Sequence, residues 1–205
     1  MKRLLLAVVF CLVPCLLPAV SRGAVDPAGL KPYRLEIDIA APPEFLYPYL
    51  IEEEKISRWQ QDSSVDVTFP TGREPRIGKQ IRVAVRAPSD PWILMEIVKL
   101  DPGREIRTEF IGGMLAGDFA YRLTPDGRGG THFVHEMRIK PVGGLVTVLW
   151  EVLGKHLHRH KMKTFLARIK EIVEADWQSL SARPAQTSPA DRPAQTPRAI
   201  PASSR

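Results

Sequence analysis

The segment Lys155 to Lys163 reads KHLHRHKMK and sets three histidines among four basic side chains. Residues four apart on a helix share a face, so His156 and His160 have the spacing to chelate a metal, while His158 points elsewhere. A zinc site needs a third protein ligand, and neither an HExxH pattern nor paired carboxylates lie nearby. No metal or other cofactor is therefore expected. The remaining readings are a solvated or mouth-lining basic helix face and a contact for anionic headgroups through Lys155, Arg159, Lys161 and Lys163.

A second group lies upstream. In THFVHEMRI the period of two places His135 with Phe133, Met137 and Ile139 on one side, and His132, Val134, Glu136 and Arg138 on the other. The mostly polar second set should face water, which sends His135 inward, where a polar group needs a partner. By the same parity Thr108 in EIRTEFI and Tyr121 in DFAYRL point inward, with Asp118 and Arg122 outward. A few convergent polar groups in apolar surroundings suit ligand orientation, and acid/base work if His135 and Tyr121 meet at one reacting atom. A core histidine bonded to a backbone carbonyl is the simpler alternative. GGMLAG, Gly112 to Gly117, lacks the context of a phosphate loop and reads as a turn. No GxSxG, CxxC or paired catalytic carboxylates occur.

The elements that position these residues are readable. YRLEIDI alternates as a half-buried strand. Pro42 and Pro43 fit a helix entry and Glu44 its first turn, and Pro48 divides the segment, so one short helix followed by another reaching Trp59 is expected. About six strands follow, from Val65 to Ile139, with turns at Asp101-Pro102-Gly103 and Pro125-Asp126-Gly127. Leu145 to Trp177 reads as one long helix with a bend at Gly154. Its apolar stripe changes face: Leu145, Leu149, Val152 and Leu153 lie about 140° from Phe165, Ile169 and Val173 at 100° per residue. This order predicts an α+β fold, an antiparallel sheet curved around its terminal helix.

The ends differ in kind. Met1-Lys2-Arg3, an apolar run from Leu4 to Leu17 and a small-residue exit describe a secretory signal peptide over residues 1–24, with a retained N-terminal membrane anchor as the alternative. Cys11 and Cys15 both lie inside it, so the exported chain would have no disulfide framework. Residues 179–205, Pro- and Ala-rich with RPAQT repeated at Arg183 and Arg192, cannot bury enough surface to order themselves. Residues 25–178 are the domain between. The chain carries 29 Lys+Arg against 23 Asp+Glu. The leader contributes three basic residues and the tail four against one acid, leaving the domain neutral with 22 of each sign. A nucleic-acid partner, which asks for a basic domain, is therefore not expected.

The stretches LEIDIAAPPEFLYPYL, KLDPGREIRTEF, RLTPDGRGGTHFVHEM and FLARIKEIVEA together resemble the START-like helix-grip superfamily, also called the SRPBCC or polyketide cyclase/dehydrase family. The resemblance covers Tyr33 to Ala175. It implies a helix-grip fold whose sheet and long helix enclose an apolar cavity for lipids, sterols, quinones or polyketides. The candidate ligand-binding residues are then Thr108, Phe110, Phe119, Tyr121, Phe133, His135 and Met137 on strands, with Leu149 and Val152 on the helix. The expected function is an exported binding or transport protein for a hydrophobic small molecule or lipid, with transient membrane contact. The alternative is a cyclase/dehydratase-like enzyme using His135 and Tyr121. LVTVLWEVLG, apolar on nearly all faces, is expected to cover the cavity mouth.

Overall fold

The computed structural model describes residue 30 and residues 32–60, 65–86 and 91–182. The expected leader, and the tail from residue 183, lie outside the described residues. Strand β1 (Tyr33–Ile39) buries Leu35 and Ile39 on the face its alternation assigns. Helix α1 (Pro43–Leu46) starts with Pro42 extended and Pro43 in the first turn, where the missing N–H costs nothing. A 3-10 turn (Tyr47–Leu50) opens around Pro48, and α2 (Glu53–Trp59) ends on a buried Trp59, matching the expected pair of short helices.

Six more strands follow: β2 (Val65–Thr68), β3 (Gln80–Val85), β4 (Trp92–Asp101), β5 (Glu105–Gly113), β6 (Leu115–Pro125) and β7 (Thr131–Pro141). They form one antiparallel sheet in the order β1-β7-β6-β5-β4-β3-β2. Consecutive hairpins build all but one seam, and β1 closes onto β7 with Tyr33 opposite Met137 and Leu35 opposite His135. Register shifts in β4 at Leu94/Met95 and Ile97/Lys99 add twist, as bulges do. The turn read over GGMLAG narrows to Met114, since Gly112 and Gly113 end β5 and Leu115 to Gly117 open β6. Gly117 adopts φ 117°, and a Cβ there would stand 1.9 Å from the Arg138 carbonyl oxygen, so only glycine fits.

The terminal helix departs from the expected single run. It is α3 (Gly144–Leu149), a π-helical turn (Trp150–Gly154) and α4 (Lys155–Ser181). A π turn admits about one extra residue per turn, so the helical phase before it differs from the phase after it. The helix also continues to Ser181, past the expected boundary at residue 178. Among the described residues no helix is long and apolar enough to cross a membrane.

Helix α4 lies in the curve of the sheet and buries Leu166, Ile169 and Val173 against Leu35, Ile39, Leu46, Ile97 and Phe133. Its C-terminal half is tied down. Tyr49 Oη donates to Asp176 Oδ2 at 2.5 Å, and Arg58 Nη2 donates to Asp176 Oδ1 at 3.1 Å. Burial, then the bond to Asp176, pushes the Tyr49 phenol up to about 12. Glu174 accepts from the Ala40 amide at 2.7 Å, and Lys170 donates to the Asp38 carbonyl at 2.5 Å.

One residue of the outer face is nonetheless buried. Asp118 stands on the outer face as its parity requires, yet it is 1% exposed. Arg107 Nε donates to its Oδ2 at 2.8 Å and Arg138 Nε to its Oδ1 at 2.9 Å. The register sets Asp118 opposite Arg138, so two guanidinium groups shield the carboxylate from water.

Candidate functional site

Cross-strand register assembles the inner wall. Thr108 faces Phe119 across β5 and β6, and Phe119 faces Met137 across β6 and β7. Tyr121 faces His135, and Leu123 faces Phe133. Thr108, Phe133, His135 and Met137 are buried. The Tyr121 and His135 rings lie 4.9 Å apart, with Phe119 at 5.2 Å from Tyr121 and 5.6 Å from His135.

Between this wall, the short helices and strands β2–β4 lies a cavity of about 70 Å³. Leu50, Ile56 and Trp59 line it from the helices, and Phe69, Ile81 and Val83 from β3 and the end of β2. Of the candidate ligand residues, Thr108, Phe119 and Tyr121 reach it. Phe110 packs beside Phe119 at 6.0 Å, and Phe133 lies in the core beneath Tyr121 at 5.4 Å. His135 and Met137 do not line this cavity; His135 packs against Phe119 and Tyr121, which do. Val152 is 64% exposed, because the π-helical turn changes the phase that its α-helical spacing implied. The side chain of Leu149 lies outside the described residues.

A polar cluster that sequence reading did not assemble lies beside His135. Tyr33 is 6.3 Å ring to ring from His158, and His158 is 5.5 Å from Trp150. The Tyr33 hydroxyl is buried and has no hydrogen-bond partner among the described residues. A signal for His158 existed: counting back from Ile169, Phe165 and Met162 at helical spacing reaches it, so it closes the buried stripe. Burial, reinforced by His158, lowers His135 to about 3, and burial, reinforced by Lys161, lowers His158 to about 4. Burial likewise raises the Tyr121 phenol. Near neutral pH these groups offer uncharged hydrogen-bonding dipoles.

The rest of KHLHRHKMK faces outward. Lys155, His156, Arg159, His160 and Lys163 are exposed, and Lys161 is half-buried. Lys155 pairs with Glu151 at 2.9 Å, and Arg159 lies over the Tyr33 ring at 5.5 Å. Next to these cations Val148, Val152 and Leu157 are 59%, 64% and 50% exposed. Among the described residues no group of three or more His, Cys, Asp or Glu side chains could hold a metal ion.

A family model described as polyketide cyclase/dehydrase and lipid transport matches residues 33–174. Solved structures share the fold. TTHA0849 from Thermus thermophilus is 21% identical with a TM-score of 0.57, over 71% of this chain and 99% of that one. The Aha1 dimer from Colwellia psychrerythraea is 16% identical with a TM-score of 0.53, over 71% and 97%. The Mll3558 protein from Rhizobium loti is 15% identical with a TM-score of 0.53, over 69% and 95%. No curated protein matches the chain.

Proposed function

Because the chain belongs to the polyketide cyclase/dehydrase and lipid transport family, we propose that it is an exported carrier that holds a hydrophobic small molecule or lipid between sheet and long helix. Export rests on the leader pattern from Lys2 to Ala24. The observation that carries the binding reading is the inner wall. Thr108, Tyr121 and His135 are sparse polar groups among apolar and aromatic side chains, the usual composition of a site that orients an apolar ligand.

The cavity volume sets a condition. At about 70 Å³ the space is far below the roughly 300 Å³ of an ordinary ligand pocket. A ligand entering this particular space would need an opening movement. The C-terminal half of α4 is held by Tyr49, Arg58, Ala40 and Asp38, whereas its N-terminal end follows a π-helical turn and α3. We place the cover at Gly144 to Gly154, where the helix geometry changes, although none of its described residues lines this cavity. Val148, Val152 and Leu157, exposed among Lys155, Arg159, Lys161 and Lys163, make that element a surface for transient contact with an anionic membrane.

One rival is a domain filled by its own side chains that serves as an interaction module. Uptake of the neutral apolar dye Nile red by the purified domain, saturable and displaced by long-chain lipids, supports the carrier. Absence of uptake, with the fold intact, supports the rival. An enzyme of the cyclase/dehydratase kind is the other reading, and burial opposes it by holding His135 and Tyr121 uncharged. Turnover on a polyketide-like substrate, lost in His135→Ala with affinity retained, would establish the enzyme instead.

A further inference from the structure

The polar cluster beside the inner wall has a feature that packing alone leaves unexplained. Tyr33 Oη is buried and donates to nothing among the described residues, although buried hydroxyl groups in folded proteins nearly always find a partner. Arg159 covers the outer face of the Tyr33 ring, and His158 stands edge-on to the same ring. Trp150, from the π-helical turn, closes on His158. His135 lies two residues along β7 from Met137, the partner of Tyr33, which puts it diagonally across from Tyr33 on the same face.

Resting on the carrier reading, we infer that Tyr33, His135 and His158 form the polar end of the ligand space and bind the uncharged hydroxyl or carbonyl head of an amphiphile. Its chain would run past Phe119 and Tyr121 into the apolar cavity, since those two rings touch His135 on one side and line the cavity on the other. Tyr33 Oη supplies a donor, and each neutral imidazole supplies one donor and one acceptor, a set that matches an alcohol or a carbonyl. The burial that keeps both histidines neutral acts equally against a buried carboxylate. Arg159 and Lys161 are the cations beside this cluster: Arg159 is exposed and Lys161 half-buried, so an anionic head would gain most by staying outside at them.

Competition against Nile red at pH 7.5 tests this with three probes of one chain length: dodecan-1-ol, dodecanoate and dodecane. The alcohol should displace the dye best. Tyr33→Phe, which removes only the hydroxyl, should weaken the alcohol by roughly fivefold, the value of one net hydrogen bond, and leave dodecane unchanged. Thermal melting of Tyr33→Phe checks that the fold survives. Equal binding of alcohol and alkane, or preference for dodecanoate, overturns the head-group assignment while the carrier reading stands. An alcohol affinity unmoved by Tyr33→Phe overturns it too. Failure of all three probes to displace the dye overturns both.

Discussion

Tyr121 and His135 face each other across β6 and β7 with ring centroids 4.9 Å apart, and no hydrogen bond joins them. They meet as packed, uncharged rings on a wall shared by the cavity and the Tyr33 cluster. A protein that buries an imidazole in this way must keep it neutral, and that requirement is measurable.

The folded state holds His135 near 3 against about 6.5 in the unfolded chain. Below pH 6.5 the unfolded state takes up a proton that the folded state refuses, so stability is full above that pH and declines as pH falls toward 3. Between pH 7 and pH 5 His135 should cost about 2 kcal/mol. Urea unfolding of His135→Gln should show a shallower decline, the gap to wild type narrowing toward pH 5. Asp176 and Glu174, whose pKa values are lowered, lose their contribution as pH falls through the ordinary carboxylate range, below this window. Parallel curves for the two proteins would mean that His135 titrates normally.

Asp118 is held by Arg107 and Arg138 at 1% exposure. Asp118→Ala takes away the buried carboxylate that both guanidinium groups share and should cost about 3 kcal/mol in denaturant unfolding. Loss below about 1 kcal/mol, the scale of an exposed pair, would mean that water reaches the arginines freely.

Gly117→Ala meets both a left-handed φ and the Arg138 carbonyl at 1.9 Å. The β6–β7 seam must shift, with an expected loss of at least ~2 kcal/mol. Gly144→Ala, at a position with open space, should be neutral or stabilising. Similar melting shifts for both would contradict the close approach of β6 to β7 at Gly117.

Legibility followed the range of the signal. The period of two in YRLEIDI and THFVHEMRI, and the prolines before Phe45, are local, and they set the strands, their inward faces and the short helices. Asp118 was placed on the correct face, but its burial depends on which arginines the register brings opposite it, a property of two other strands. Tyr33 and His158 are 125 residues apart, and each reads locally as an ordinary strand or helix position. The π-helical turn, Trp150–Gly154, has no local mark in the sequence beyond Gly154.

Vesicle co-sedimentation probes the basic, partly apolar face. Binding should rise with anionic lipid, weaken with salt as exposed charges are screened, and fall when Lys155, Arg159, Lys161 and Lys163 are changed to Gln. Unchanged binding in that variant would return the segment to a solvated helix face.

Native mass spectrometry of the protein, purified without detergent from cells that make it, bears most directly on the carrier claim. The spectrum should show the folded domain with an added mass of a few hundred daltons, on the order of a small lipid, released on unfolding as an organic-extractable molecule. A spectrum holding only the bare chain, from protein that also takes up no Nile red, would contradict it and leave a domain packed by its own side chains.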